Sequence, residues 1–215
     1  MFDVVGTLFS LEAPKRVLTE ADAPECALDL WFAESLRDYF ARSHAGEYVT
    51  LREVLEAELP LTLRSLGIDP TEQLVDEAIG AFGSLAPRRG AEQACRKLAE
   101  SGWTLLALTN SGEEMTRSLL ERGNMDALFA RVISCDEIGI SKPHRQVYER
   151  ARELGSGDVW LVAAHSWDIQ GAKQAGLKTV WVASKEPAYL SVYPPPDATA
   201  ANLEDAATVL ISSAD

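Results

Sequence analysis

The hydrophobic pattern after Pro87 alternates between two kinds of segment. Short continuous apolar runs are separated by longer stretches in which apolar residues recur every three or four positions. A short continuous run is typical of a strand covered on both faces, and the longer period is typical of an amphipathic helix. The predicted strands are residues 103–108, 131–134, 159–164 and 178–182. This alternation predicts an α/β fold with a Rossmann-like, doubly wound parallel sheet and right-handed crossovers.

A purely helical pattern fills the stretch between the first strand end and Pro87. The helical segments are predicted at residues 27–42, 51–59, 61–66 and 71–82. Residues 11–25 are predicted as a loop, because Pro14 and Pro24 interrupt any regular period there. We therefore predict two domains: a core of residues 1–12 and 85–215, and an inserted helical module of residues 13–84.

Composition and charge narrow the classes of partner. The 215 residues suffice for one sizeable core and a smaller module. The formal net charge of -13 argues against nucleic acid or an anionic membrane surface as a partner. An anionic small-molecule substrate would need positive groups close to it. The three cysteines are widely spaced and form neither a metal-type pair nor a disulfide framework, which predicts a reducing cytoplasm.

Polar side chains stand where the predicted strands end. Asp3 closes the first apolar stretch, with only two residues before it, and Gly6 follows in a turn. Thr109 and Asn110 end a later strand, and Asp168 follows another. The carboxyl ends of parallel strands meet at one edge of a sheet, where ligands of open α/β folds bind. These residues are therefore predicted to lie together.

The same residues form a coherent chemical set. Asp3 is the candidate nucleophile, because a carboxylate held at a strand end can attack an electrophilic carbon or phosphorus and form an ester. Thr109 and Asn110 are candidate hydrogen-bonding groups for the substrate. Lys142, near a helix start, would keep Asp3 ionised, and Asp168 would orient Lys142 or help to activate water. Each residue alone has an ordinary explanation as a turn, a helix cap or a solvated charge, but their joint occurrence favours a site.

These residues lie in four motifs that resemble those of the haloacid dehalogenase superfamily, and the resemblance extends over nearly the whole chain. The motifs are Asp3-Val4-Val5-Gly6-Thr7-Leu8-Phe9, Leu106-Ala107-Leu108-Thr109-Asn110, Ser141-Lys142-Pro143 and Ala163-Ala164-His165-Ser166-Trp167-Asp168. Each motif is weak by itself, whereas together they are specific. The resemblance implies a Rossmann-like core, an aspartate nucleophile and an inserted helical cap.

The motifs also distinguish two branches of that superfamily. Its phosphatases usually carry a second aspartate two positions after the nucleophile and a Gly-Asp pair before the last acid, which serves magnesium. Here Val5, Ala163 and Ala164 occupy those positions. The fourth motif is instead similar to that of the 2-haloacid dehalogenases, which need no metal. The resemblance thus implies no cofactor and no metal, with Mg²⁺ as the alternative for a phosphatase.

The resemblance extends to candidate substrate-binding residues. Trp31, Arg42 and Tyr148 fall at the spacing of the 2-haloacid dehalogenases. Phe32 departs from it, because that group has at this position an arginine that binds the carboxylate and the leaving halide. Trp31 and Phe32 either line an apolar pocket or pack in the core, and either Arg37 or Arg42 is a candidate replacement cation. His165 stands where the group often has Asn, and it either deprotonates the attacking water or packs at the strand end.

We therefore predict a haloacid dehalogenase-like hydrolase that acts on a small 2-haloacid through an ester intermediate without a metal. The expected partner is a small anionic molecule, and a homodimer is compatible with the sequence. Two alternatives stay open. One is a phosphatase acting on a small phosphate ester, and the other is a non-catalytic binding protein with the same fold.

Overall fold

The computed structural model describes residues 1–155 and 157–213. Their contacts divide into two compact units, of which one comprises residues 11–86 and the other comprises residues 1–10 together with the chain from Pro87 onward. The predicted domain limits, with a core of residues 1–12 and 85–215 and a module of residues 13–84, stay a prediction about independent folding. Limited proteolysis is the direct test of that prediction.

The unit of residues 11–86 is built from helices. They are α1 (Glu12–Glu20), α2 (Ala27–His44), α3 (Leu51–Ser65) and α4 (Glu72–Gly80), followed by a 3-10 turn at Ala81–Ser84. Thr50 and Glu53 form a reciprocal capping box at the start of α3, which satisfies two backbone N–H groups that the helix leaves free. The prediction of a helical stretch without strands is confirmed for these residues.

Two details of this unit differ from the sequence-based prediction. Residues 11–25 were predicted as a loop, which is wrong, because α1 spans Glu12–Glu20. Pro14 is the third residue of that helix, within the first turn, where a backbone N–H has no intrahelical acceptor and proline costs little. The two predicted segments at 51–59 and 61–66 are one helix, α3, which continues through Pro60.

The other unit contains a parallel sheet. Its strands are β1 (Leu105–Thr109), β2 (Phe129–Ser134), β3 (Trp160–Ala163), β4 (Lys178–Val182) and β5 (Ala198–Ala200). Strand β1 pairs with β2, while β3, β4 and β5 pair in that order, and all these pairs are parallel. Every residue of β1 and of β3 is buried, so the sheet is covered on both faces at its centre.

The first residues of the chain join the two groups of strands. Phe2 forms a parallel bridge to Ala107 of β1 on one side and to Val162 of β3 on the other. The N–H of Asp3 donates to the carbonyl of Val162 at 3.1 Å. The resulting order is β2, β1, residues 1–3, β3, β4, β5, so Asp3 leaves the sheet at its centre.

Helices follow the strands in the predicted alternation. They are α5 (Ala91–Glu100), α6 (Glu113–Arg122), α7 (Cys135–Ile138), α8 (Arg145–Arg152), α9 (Ser166–Gln174) and α10 (Leu203–Ser212), with a 3-10 turn at Asp126–Leu128. Helix α5 packs on α10, and α8 packs on α9. The α/β fold with a doubly wound parallel sheet is confirmed, and β5 is an additional strand that its short Ala-Thr-Ala sequence did not predict.

The two points where the chain leaves and rejoins this unit lie side by side. Phe9 and Pro87 form an antiparallel bridge, and the N–H of Arg88 donates to the carbonyl of Leu8 at 2.8 Å. Residues 11–86 are therefore inserted between two backbone segments that hydrogen-bond to each other.

No helix in the described ranges, 1–155 and 157–213, has both the length and the apolar character that crossing a bilayer requires.

Candidate active site

Asp3 is held at the carboxyl edge of the sheet by the tight turn that follows it. Gly6 adopts φ +86° in that turn, a conformation that glycine reaches without strain. The turn brings the hydroxyl of Thr7 back to Asp3, where its Oγ donates to Oδ2 at 2.5 Å. The same Oγ accepts the N–H of Ala164 at 2.9 Å. Asp3 is 4% exposed, so its carboxylate is fixed in a buried, polar setting.

Lys142 lies between two carboxylates at the same edge. Its Nζ donates to Asp3 Oδ1 and to Asp168 Oδ2, each at 2.7 Å, and to the carbonyl of Leu108 at 3.1 Å. Lys142 has no solvent exposure. The predicted meeting of Asp3, Lys142 and Asp168 at the strand ends is thus present in the structure.

The charges in this cluster shift one another's titration. Burial by itself would raise the pKa of Asp3, but the ammonium of Lys142 and the hydrogen bond from His165 outweigh it and hold that pKa below its ordinary value. Burial likewise opposes the charge of Lys142, yet the two carboxylates raise its pKa above the usual range. Burial raises the pKa of Asp168. Asp3 is therefore the carboxylate that stays ionised most readily.

Tyr148 hydrogen-bonds to the carboxylate oxygen of Asp168 that Lys142 does not contact. Its hydroxyl donates to Asp168 Oδ1 at 2.5 Å, and Tyr148 is fully buried. Gly171 makes room for the ring, since a Cβ at that position would stand 2.4 Å from Tyr148 Cε2. Tyr148 was predicted as a substrate-binding residue, and that role stays a prediction. Its observed contact orients Asp168.

His165 contacts the carboxylate oxygen of Asp3 that Lys142 does not contact. Its Nδ1 is 3.1 Å from Asp3 Oδ2, and its ring stacks on Trp167 with centroids 5.1 Å apart. A Cβ on Gly6 would stand 2.6 Å from the imidazole Cε1, so the missing side chain of Gly6 is what admits the ring. The buried Nε2 has no hydrogen-bond partner in the described part of the chain. This nitrogen can accept a proton from a reactant.

Thr109 and Asn110 lie at the end of β1, as predicted, but their side chains make different contacts. The Asn110 Oδ1 accepts the backbone N–H of Lys142 at 2.9 Å, which positions the lysine. The Thr109 Oγ accepts the N–H of Ser111 at 3.0 Å, which is the contact of a turn-forming threonine. Binding of substrate by either residue stays a prediction.

The three other predicted substrate-binding residues belong to the helical unit. Trp31 is fully buried, and its Nε1 donates to the carbonyl of Leu55 at 3.0 Å. Phe32 stacks on Phe82 with ring centroids 6.4 Å apart. Arg42 is half exposed and pairs with Glu47 at 2.9 Å. Their roles toward a substrate stay predictions.

The residues at the sheet edge do not suit a divalent cation. No cluster of three or more His, Cys, Asp or Glu side chains with metal-binding geometry occurs among the described residues. Val5, Ala163 and Ala164 supply no oxygen side chains there. The carboxylate oxygens of Asp3 and Asp168 already accept bonds from protein donors. Hard cations such as Mg²⁺ want several oxygen ligands in an open geometry, so the set fits an ammonium better.

Thr7 is a site residue that sequence reasoning did not single out. Its hydroxyl links the carboxylate of Asp3 to the backbone of Ala164. A hydroxyl residue four positions after the acid, directly behind a turn glycine, was the available signal. Threonine is common in turns for local reasons, so the spacing became informative only with the backbone path in hand.

The fold and the site define an α/β protein whose parallel sheet carries a buried aspartate–lysine–aspartate cluster at its carboxyl edge. The chain belongs to the haloacid dehalogenase-like hydrolases, whose family model matches residues 1–176.

Individual relatives agree with this assignment. The chain is 30% identical over 187 residues to (S)-2-haloacid dehalogenase 1 of Pseudomonas sp. (strain CBS-3), with 84% of this chain and 82% of the relative covered. It is 26% identical over 187 residues to (S)-2-haloacid dehalogenase 4A of Burkholderia cepacia, with 84% and 80% covered. The fold is similar to that of L-2-haloacid dehalogenase from Xanthobacter autotrophicus with chloropropionic acid covalently bound. That similarity has a TM-score of 0.85 and 24% identity, and it covers 97% of this chain and 96% of the other.

Proposed function

We propose that the protein hydrolyses the carbon–halogen bond of a small 2-haloacid, with Asp3 as the nucleophile. The observation that carries this proposal is the buried Asp3 carboxylate, which Lys142 keeps ionised at 2.7 Å. An ionised, partly desolvated carboxylate beside a fixed cation is a competent nucleophile toward a saturated carbon. The names of the relatives support the choice of a haloacid over other electrophiles.

The proposed reaction has two steps. In the first, an oxygen of Asp3 attacks the halogen-bearing carbon, the carbon–halogen bond breaks, and the halide leaves with the bonding pair. The product is an ester between Asp3 and the substrate. In the second, water attacks the ester carbonyl, the acyl–oxygen bond breaks, and the 2-hydroxyacid leaves as Asp3 is regenerated. One proton is released overall.

Two groups are candidates for the base of the second step. His165 reaches Asp3 Oδ2 through Nδ1 at 3.1 Å, and its Nε2 has no hydrogen-bond partner among the residues that the structure describes. Asp168 is engaged by Lys142 and by Tyr148, which leaves it less able to take a proton from water. We therefore assign the base to His165, and Asp168 to the orientation of Lys142.

The test is incubation with each enantiomer of 2-chloropropionate in the presence of EDTA. We expect halide release, together with a mass increase on the peptide that contains Asp3 when the reaction is quenched early. In water enriched in ¹⁸O, repeated turnover should place ¹⁸O in the Asp3 carboxylate, because water attacks the carbonyl carbon of the ester. Magnesium-dependent phosphate release from small phosphate esters, with no halide release, would favour the phosphatase alternative. No turnover of either 2-chloropropionate or the phosphate esters would favour a binding protein.

A further inference from the structure

The loop between β4 and β5, residues 183–197, contacts the segment that carries His165. Its backbone begins with the N–H of Ser184 donating to the carbonyl of Val182 at 2.8 Å. The Cδ of Lys185 lies 3.8 Å from where a Cβ of Gly6 would stand, beside the His165 ring. The next residue, Glu186, accepts the N–H of Ser166 with both carboxylate oxygens, at 3.0 and 3.2 Å. The loop therefore contacts the backbone directly after His165.

The contact of Glu186 satisfies a free backbone N–H at the start of α9. His165 is the N-cap residue of that helix, where a side chain normally accepts a free N–H from the first turn. Its side chain makes no such bond, because the imidazole turns to Asp3 instead. Glu186 lies outside the helix and accepts the N–H of Ser166, the first helical residue, which is another of the N–H groups without an intrahelical acceptor. A carboxylate is also the favourable charge at a helix N-terminus.

The first turn of α9 carries two groups of the site. His165 precedes it directly, and Asp168 is its third residue. Asp168 is fixed independently by Lys142 and Tyr148. His165 is held less tightly, by one 3.1 Å contact to Asp3 and by stacking on Trp167. Loss of the Glu186 cap therefore acts mainly on His165.

We propose that Glu186 is a positioning residue for the second half of the reaction, because it clamps the N–H of Ser166 and thereby fixes the imidazole of His165 against Asp3. This inference rests on the proposed function, in which His165 activates the water that attacks the ester. The first half of the reaction uses Asp3 and Lys142, neither of which Glu186 touches in the structure. The two halves should therefore respond differently to its removal.

The experiment compares ester formation with ester hydrolysis in Glu186→Ala, by rapid quench with 2-chloropropionate and mass spectrometry of the Asp3 peptide. We expect ester hydrolysis to slow about tenfold, because a misplacement of about 1 Å can cost about 10²-fold and the stacking on Trp167 still holds part of the imidazole's position. Ester formation and kcat/KM, which depends only on the steps up to the loss of halide, should stay within about twofold of wild type, so the ester accumulates. Glu186→Gln keeps the length of the side chain and one acceptor oxygen, so it should recover part of the rate of ester hydrolysis.

Asp197→Asn is the matched control. The carboxylate of Asp197 closes the other end of the same loop, where its Oδ2 accepts the N–H and the hydroxyl of Thr179 at 2.8 and 2.9 Å. This variant loosens the loop and weakens the ion pair between Asp197 and Lys173 near the end of α9. It leaves the first turn of α9 and the contact of Glu186 in place, and we expect both steps to keep wild-type rates. Equal slowing of both steps in Glu186→Ala, or wild-type rates for both, would overturn the proposal. So would the same selective slowing in Asp197→Asn.

A second measurement keeps this outcome separate from that of the proposed function. Histidine side-chain ¹⁵N resonances can be recorded without any substrate, and the chain has three histidines, of which His165→Asn identifies one. We expect Glu186→Ala to move the Nδ1 and Nε2 resonances of His165, while Asp197→Asn leaves them unchanged. If wild type fails to release halide, the proposed function falls and these resonances still decide the role of Glu186. Unmoved resonances in Glu186→Ala would then overturn it.

Discussion

Lys142 at the sheet edge and Arg37 in the helical unit are both cations surrounded by carboxylates. Lys142 contacts Asp3 and Asp168 at 2.7 Å and is completely buried. Arg37 lies within 4 Å of Glu34, Asp38 and Glu58, but 60% of its side chain is exposed. Arg37 thus has more acidic neighbours, but water reaches its guanidinium and screens its ion pairs.

The difference shows that burial matters more than the number of ion pairs. Exposed pairs gain little because solvent competes for both partners and long side chains lose freedom on pairing. In a buried cluster each charge depends on the others, and removal of one leaves the remainder uncompensated. The cluster at the sheet edge is therefore where substitutions should change chemistry, and the four predictions below test that contrast in order of decreasing effect.

The largest effect is expected from Asp3→Asn. An amide cannot supply the attacking oxygen, so turnover should fall by at least about 10³-fold while the fold is retained. The measurements are halide release and the Asp3-peptide mass, with circular dichroism as the control for folding. A purified sample, checked for deamidation, that still turns over at the wild-type rate would remove Asp3 from the mechanism.

Lys142→Ala should lower turnover by about 10²-fold, because it removes the fixed positive charge of the site. In wild type the pKa of Asp3 is held below its ordinary value by Lys142, so Asp3 stays ionised as the pH falls. Without the lysine, two buried carboxylates face each other and the pKa of one must rise. The acidic limb of the pH–rate profile should therefore move to higher pH.

The matched variant Lys142→Arg keeps the charge but replaces a compact ammonium with a planar group. It should restore the position of the acidic limb more fully than it restores the rate. An unmoved limb in Lys142→Ala would contradict the proposed coupling between Lys142 and Asp3.

Tyr148→Phe should act mainly on stability. It removes the 2.5 Å bond to Asp168 and leaves a buried carboxylate oxygen short of a donor, at a cost of about 2 kcal/mol in the free energy of unfolding. The bond lowers the pKa of Asp168, so its loss raises that pKa further. The deficit should be full where Asp168 is ionised in both proteins and shrink as the pH falls through the higher pKa of the variant and then that of wild type. Chemical denaturation at several pH values measures it.

The control for this prediction is Tyr189→Phe, in the β4–β5 loop. The hydroxyl of Tyr189 donates to the carbonyl of Pro194 at 2.8 Å in an exposed setting, where water can replace the lost partner. An equal loss of stability in the two variants would show that burial at Tyr148 does not decide the energy.

The smallest effect is expected from Arg37→Gln, which should leave kcat, KM and thermal stability unchanged because its ion pairs are exposed. Arg42→Gln is the informative partner, since Arg42 was predicted to bind the substrate anion. A raised KM in Arg42→Gln, with Arg37→Gln silent, would support that prediction. A change in Arg37→Gln would break the contrast between buried and exposed cations.

The sequence predicted the sheet edge well, for a physical reason. Continuous apolar runs and the turns behind them locate strand ends, and in a parallel sheet those ends must converge. Asp3, Lys142 and Asp168 could therefore be placed together without coordinates. The contacts of each side chain were harder to predict from the sequence, because they depend on rotamers and on the exact backbone path. Thr109 bonds Ser111, which the pattern alone does not distinguish from a bond to a ligand.

Other features lay beyond the sequence because their cause is tertiary. The role of Thr7 depends on a turn that folds it back onto Asp3. The contact of Glu186 with Ser166 joins residues 20 positions apart through a loop without regular structure. Helix α1 was missed because two prolines resemble loop punctuation, although Pro14 lies where a helix tolerates it. Local sequence patterns do not determine tertiary contacts of this kind.

The bridge between Phe9 and Pro87 has a consequence for how this architecture can vary. Because the chain exits and re-enters the α/β unit through neighbouring, hydrogen-bonded segments, the 76 residues between Ser10 and Pro87 form a loop insertion in the topological sense. Insertions with adjacent ends can be lengthened, shortened or exchanged without rerouting the host sheet. Recombination at these two positions would exchange the helical module while the buried cluster at the sheet edge is inherited intact.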